Sequence, residues 1–264
     1  MNDRIPEYLI PYVLSGDLAI VIAVVIGLHR ALKLAGWQAQ DRRRVVWSGA
    51  ALLIAWYVAG LFLSRSGFYR ATFSRVPTIQ YGILIPIAAG IALFWRWPLF
   101  RRVVEAVPQR WIVSVQLYRA MGVIFLLLYA GGHLPGVFAW PAGVGDVTVG
   151  LLAPFVGLAY ARKSRNAAGR VRAWNLLGIT DLIVALTTGF LSSPSPLQMF
   201  AFGSPNELIG AFPLAMIPVF AVPLSILLHL ASLHKLRQAE VGEKTTQPIL
   251  PGVRSTLIGS SPLQ

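Results

Sequence analysis

Seven apolar runs divide the chain, at about 9–29, 45–64, 78–97, 111–131, 142–161, 173–192 and 207–233. A helix needs about 20 mostly apolar residues to cross the hydrocarbon core of a bilayer. Each run meets that length, and short polar stretches separate them. The pattern predicts an all-α, polytopic membrane protein with seven transmembrane helices. Spans 3 and 5 are interrupted by Pro86 and Pro154, and span 7 by Pro213, Pro218 and Pro223. These last three predict a bent final helix, because each removes a backbone hydrogen bond. From about Ala239 the chain is rich in Gly, Pro, Ser, Thr and Gln and has no long apolar run. The expected organisation is one transmembrane domain, 1–238, and a disordered cytoplasmic tail, 239–264.

Composition agrees with lipid as the solvent. Of 264 residues, 56% are hydrophobic and 12% charged, where soluble domains carry about 25% charged residues. The 23 Lys+Arg against 10 Asp+Glu give a net charge of +13. On a soluble domain that excess would suggest nucleic acid. Here the basic residues fall between apolar runs, which argues against nucleic-acid binding and marks one side of a membrane. The 1–2 connection holds Arg30, Lys33, Arg42, Arg43 and Arg44, the 3–4 connection Arg96, Arg101, Arg102 and Arg110, and the 5–6 connection Arg162, Lys163, Arg165, Arg170 and Arg172. The tail adds Lys235, Arg237, Lys244 and Arg254. On the other side stand Arg4, Arg65, Arg70 and Arg75. The bias predicts a bacterial inner-membrane protein with its N-terminus outside and its C-terminus in the cytoplasm, a parity that seven spans satisfy. Asp17 falls where a signal peptide needs its apolar core, so the first run reads as a retained span. With no cysteine, disulfides, thiolate metal sites and cysteine nucleophiles are excluded.

The two ends of the chain share landmarks in the same order. Span 1 follows Pro11 with Ser15-Gly16-Asp17, and span 5 follows Pro141 with Val144-Gly145-Asp146. Spans 2 and 6 begin at Trp47 and Trp174 and close with Gly60…Ser64 and Gly189…Ser193. Spans 3 and 7 are preceded by Pro77 and Pro205, with Gly82 and Gly210 five residues on. A 3+1+3 parallel repeat is expected, with span 4 as the connector. Parallel repeats occur in transporters, where substrate lies between the copies. The layout resembles SWEET-type sugar transporters and the seven-helix rhodopsins in topology, not in motif. Span 7 has no lysine to hold a retinal, which argues against rhodopsin photochemistry.

Charges inside the runs mark the candidate site. An ionisable group in a transmembrane helix costs about 2.5–3.5 kcal/mol on insertion scales, so it faces the bundle interior and seeks a partner. Asp17, Arg119, Asp146 and Asp181 are such groups. Arg119 and Asp181 each lie about eight residues from the inner end of their spans, roughly 12 Å deep at helical rise. Equal depth predicts an Arg119–Asp181 pair. Gln116 stands three before Arg119 on the same face. Asn175, six before Asp181, does not share its face cleanly. Asp17 and Asp146 occupy equivalent places in the repeat and are expected to flank an outer cavity. The bland alternative is that each caps its own helix, most of all Asp146, beside the turn GGHLPGVFAWPAGVG.

Other chemistry is weaker. His29, His229 and His234 read as interfacial, and His229 and His234 lack the spacing of a one-face pair. No metal, hydrolase or nucleotide motif stands in a useful context. No metal and no cofactor is expected, with haem held by two histidines as the competing idea. The leading expectation is a small-solute or ion transporter using Asp17, Gln116, Arg119, Asp146, Asn175 and Asp181, with the bilayer as partner and a proton or small solute as ligand. A membrane-embedded enzyme acting on lipid and a structural or sensory subunit are the rivals.

Overall fold

The computed structural model describes residues 6–246, and it is helical throughout apart from turns and one isolated bridge between Thr72 and Arg75. Among the described residues, seven helices are long and apolar enough to cross a membrane. The first three are α1 (Leu9–Leu34), α2 (Ala39–Arg65) and α3 (Ile79–Arg96). A short amphipathic helix, α4 (Pro98–Ala106), follows. Span 4, Gln109–Ala130, is composite: α5 (Gln109–Ser114), a 3-10 stretch (Val115–Gly122) and α6 (Val123–Ala130). Then come α7 (Gly136–Ala161), α8 (Ala167–Ser192) and a last span made of a π-helical turn (Ile217–Ala221) and α9 (Val222–Thr246).

Most helices run further than the apolar runs that predict them, because charged ends such as Arg30–Lys33 and Arg42–Arg44 continue the winding past the apolar core. Three departures are larger. The Gly/Pro/aromatic stretch expected as a turn is helical from Gly136 onward, and only residues 131–135 form the connection. The last span starts at Ile217 rather than 207: Leu208–Gly210 make one 3-10 turn, and the Phe212–Pro213 peptide is cis. A helix through three prolines would forfeit three backbone bonds. The chain instead leaves Pro213 outside and sets Pro218 near the helix start, where its missing N–H costs little. Pro223 cannot donate to the carbonyl of Val219, and Trp56 Nε1 donates to that oxygen instead, at 3.1 Å. Lastly, α9 continues to Thr246, so the boundary expected at 238 falls inside a helix. Residues 247–264, with Arg254, and Arg4 at the other end lie outside the described residues.

The exterior is apolar. Only 11% of the most apolar window is buried in α2 and in α3, against 56% in the last span. Leu52, Phe62, Leu84, Ile85, Phe155 and Ile183 face outward. Soluble monomers do not expose apolar surface on this scale; this is the make-up of a multi-pass membrane protein. With no hydrophobic drive between helices in lipid, close packing must hold them, and small residues allow it. Gly143, Gly150 and Gly157 recur every seventh residue of α7 and form one stripe against span 4. A Cβ at Gly150 would overlap the backbone at Ala120, and one at Gly157 would lie 2.9 Å from the carbonyl of Arg110. The stripe brings α7 against span 4 along its length.

Candidate functional site

The centre of the site is Arg119, in the 3-10 stretch of span 4. In a 3-10 helix residues three apart stack in one file. Gln116, Arg119 and Gly122 form such a file, and they are the buried residues of the stretch. Leu117, on another file, is exposed.

Arg119 is 3% exposed, and its guanidinium is held on three sides. Nε donates to Asp146 Oδ1 of α7 at 2.7 Å. Nη2 pairs with Asp181 Oδ2 of α8. Nη1 donates to the carbonyl of Gly178 at 3.4 Å and lies 3.1 Å from His229 Nε2 of α9. Four of the five N–H groups thus have acceptors. The Arg119–Asp181 pair predicted from depth is present, and Asp146 joins it as a second carboxylate.

Glycines make room for this cluster. A Cβ at Gly145 would overlap the Asp181 carboxylate, one at Gly122 the Asp146 side chain, and one at Gly178 the His229 ring. The charged groups therefore sit in sockets cut from three facing helices.

A polar chain continues from His229 toward α5. With Nε2 accepting from Arg119, the Nδ1–H donates to Asn175 Oδ1 at 2.9 Å. Asn175 Nδ2 donates to Ser232 Oγ at 2.8 Å, and Gln109 Nε2 donates to the same hydroxyl at 2.7 Å. Asn175 thus serves the cluster through His229 and not through the Asp181 face. Its amide orients the imidazole; an amide is a poor relay for protons, so this chain is a brace.

Neither Asp17 nor Asp146 caps a helix. Asp17 lies within α1 and Asp146 well inside α7, both away from the N-caps, which are Tyr8 and Pro135. The cap reading of Asp146 fails because the supposed turn is itself helical. Both aspartates line one cavity of about 40 Å³, with Arg119 and Tyr118, room for at least one water. Asp17 is 3% exposed, and its Oδ2 has no hydrogen-bond partner among the described residues. Tyr118 is tied to Ser225 of α9 at 2.7 Å, and Tyr12 of α1 donates to the carbonyl of Met121 at 2.7 Å. Gln116 is fully buried, and neither of its amide atoms has a partner among the described residues.

His229 corrects the interfacial reading: it is buried at the centre. Its signal was available. Ser225, His229 and Ser232 fall at four- and three-residue spacing, a polar face on an apolar span. His234, by contrast, packs its ring on Phe94, 4.7 Å between centroids.

A second cavity, of about 370 Å³, lies between α3, α6, α7, α8 and the last span. Its walls are mostly apolar, from Ile83, Phe125, Phe138, Leu186 and Pro218 among others. Asp146 lines this cavity as well as the small one.

Seven apolar helices around buried charges define the class: a multi-pass helical membrane protein. Within that class the chain belongs to the family of a domain of unknown function, DUF8737, whose profile matches residues 76–237, more than half of its length. The match takes in Arg119, Asp146, Asp181 and His229 and leaves out Asp17. Comparison with curated proteins and with solved structures finds no match.

Proposed function

We propose that the chain is a proton-linked transporter of a small solute or ion, seated in the bacterial inner membrane with its N-terminus outside and its C-terminus in the cytoplasm. One observation carries the reading: two carboxylates, Asp146 and Asp181, share the buried Arg119 guanidinium, and a third, Asp17, lines a cavity with it. Excess negative charge in a low-dielectric interior is costly. A bound proton or a cationic ligand offsets it. Protonating Asp146 or Asp181 releases one arm of Arg119, so the cluster has two arrangements, and a switch requires two. The 3-10 winding at Arg119 supports this, since 3-10 within a long helix often marks a hinge. The 3+1+3 repeat fits the placement of Asp17 and Asp146 on one cavity and makes α1 to α3 the counterpart of the last three spans.

The test is proton movement in proteoliposomes carrying an internal pH dye. Wild type is expected to dissipate an imposed pH gradient, and Asp181→Asn and Asp17→Asn to slow it at least about tenfold, as for loss of a required acid–base group. Equal rates in wild type, both variants and empty liposomes overturn the reading. The rival lipid-acting enzyme would use the aspartates as acid–base groups, of which Asp146 lines the apolar cavity and Asp17 and Asp181 do not.

A further inference from the structure

We infer that the 370 Å³ cavity is a binding site for a small amphipathic amine, its apolar body between α3, α6 and α8 and its ammonium on Asp146. The assignment deepens the transporter reading and rests on it for its meaning, though not for its binding test.

The size suits a small organic ligand, since pockets for such molecules run from about 300 to 1,000 Å³. The walls demand an apolar body. The Phe125 and Phe138 rings stand 5.2 Å apart, edge to face, on one side, and Ile83, Leu182 and Leu186 stand among the other lining residues. The sign of the polar end follows from what reaches the cavity. Asp146 lines it; Arg119 does not. Asp146 Oδ1 is committed to Arg119 Nε. The carboxylate accepts no second hydrogen bond among the described residues. An anionic head would meet this carboxylate, with the guanidinium behind it already engaged by Asp146, Asp181, Gly178 and His229. A neutral head would leave the excess of carboxylates over cations unchanged. An ammonium both donates to the carboxylate and supplies the missing positive charge, and a charge-assisted bond of this kind is the stronger sort.

The geometry also says how amine and proton communicate. Asp146 is shared between the two cavities, so an ammonium on its carboxylate competes with a proton for the same group. Amine entering from the large cavity would displace a proton toward the small one, where Asp17 Oδ2 has no partner. No bond forms or breaks beyond the transfer of that proton.

The experiment is equilibrium dialysis of 2-phenylethylamine against the full chain in nanodiscs, with empty nanodiscs as the blank and 2-phenylethanol and phenylacetate as neutral and anionic comparisons. Saturable binding of the amine at least about tenfold tighter than either comparison supports the assignment, tenfold being the worth of one modest ionic contact. Asp146→Asn should remove that preference. Ala185→Phe, which fills the cavity from α8, should abolish binding while the thermal unfolding temperature holds. Equal binding of the three compounds, no saturable binding, or amine binding indifferent to Ala185→Phe overturns the assignment. Proton flux without amine binding sinks the amine and leaves the proton-linked transporter standing. Amine binding without proton flux sinks transport and leaves the site standing.

Discussion

Replacing Arg119 by methionine tests whether the cluster is held together by charge. The substitution keeps most of the aliphatic length and removes the guanidinium from Asp146, Asp181, His229 and the Gly178 carbonyl at once. The two carboxylates cannot swing far apart, because Gly122 and Gly145 already pack against them closely enough that even a Cβ would not fit. Removing one partner of a buried ion pair typically costs about 3–5 kcal/mol. Some of that is returned, since a buried arginine itself costs about 2.5–3.5 kcal/mol on insertion scales. The loss of a second carboxylate contact works the other way. The expected net is about 3 kcal/mol, or roughly a hundredfold in the unfolding equilibrium. Arg119→Met/Asp146→Asn/Asp181→Asn leaves amides of the same shape and no net charge, and should recover all but about 1 kcal/mol, since hydrogen bonds between membrane helices average about 0.6 kcal/mol. The assay is reversible unfolding in mixed micelles against increasing SDS, followed by circular dichroism at one pH. A single variant within about 1 kcal/mol of wild type, or a triple variant less stable than the single, refutes the reasoning.

Two further predictions use the same assay. Gly145→Ala should cost about 1–3 kcal/mol through overpacking against Asp181, whereas Gly27→Ala, with nothing within 4 Å of its added methyl, should stabilise α1 by about 0.5–1 kcal/mol. Trp56→Phe keeps an aromatic ring edge to face with Phe220 but leaves the Val219 carbonyl without its donor, for an expected loss of about 1–2 kcal/mol; an unchanged midpoint would mean that carbonyl is satisfied another way.

The spans were legible because apolar length is a property of each segment alone. The Arg119–Asp181 pair was legible for a similar reason: depth can be counted from a helix end, and equal depth on two helices places two groups at one level. Asp146 was misjudged because Gly and Pro between Gly131 and Gly145 look like a turn in isolation. In lipid a helix satisfies its own backbone where a loop cannot, so the chain winds from Gly136 and carries Asp146 well into α7. Pro141 is tolerated inside that helix. His229 was missed because it was weighed only against His234. Its partners, Asn175 and Arg119, lie 54 and 110 residues away; the Ser225, His229 and Ser232 spacing marks a polar face but does not name what that face meets. The file of Gln116, Arg119 and Gly122 depends on 3-10 winding, which their three-residue spacing permits without requiring.

That winding has a consequence for the phase of span 4. A 3-10 helix turns about 120° per residue and an α-helix about 100°. Over the eight residues of the stretch, the difference sums to roughly 160°, nearly half a revolution. The face that α5 turns toward its neighbours is therefore not the face that continued α-winding would give α6. Span 4 behaves as two rods of different azimuth joined at Arg119. A small change in winding at the joint would rotate one rod against the other, and with it whichever side chains α6 shows to the large cavity.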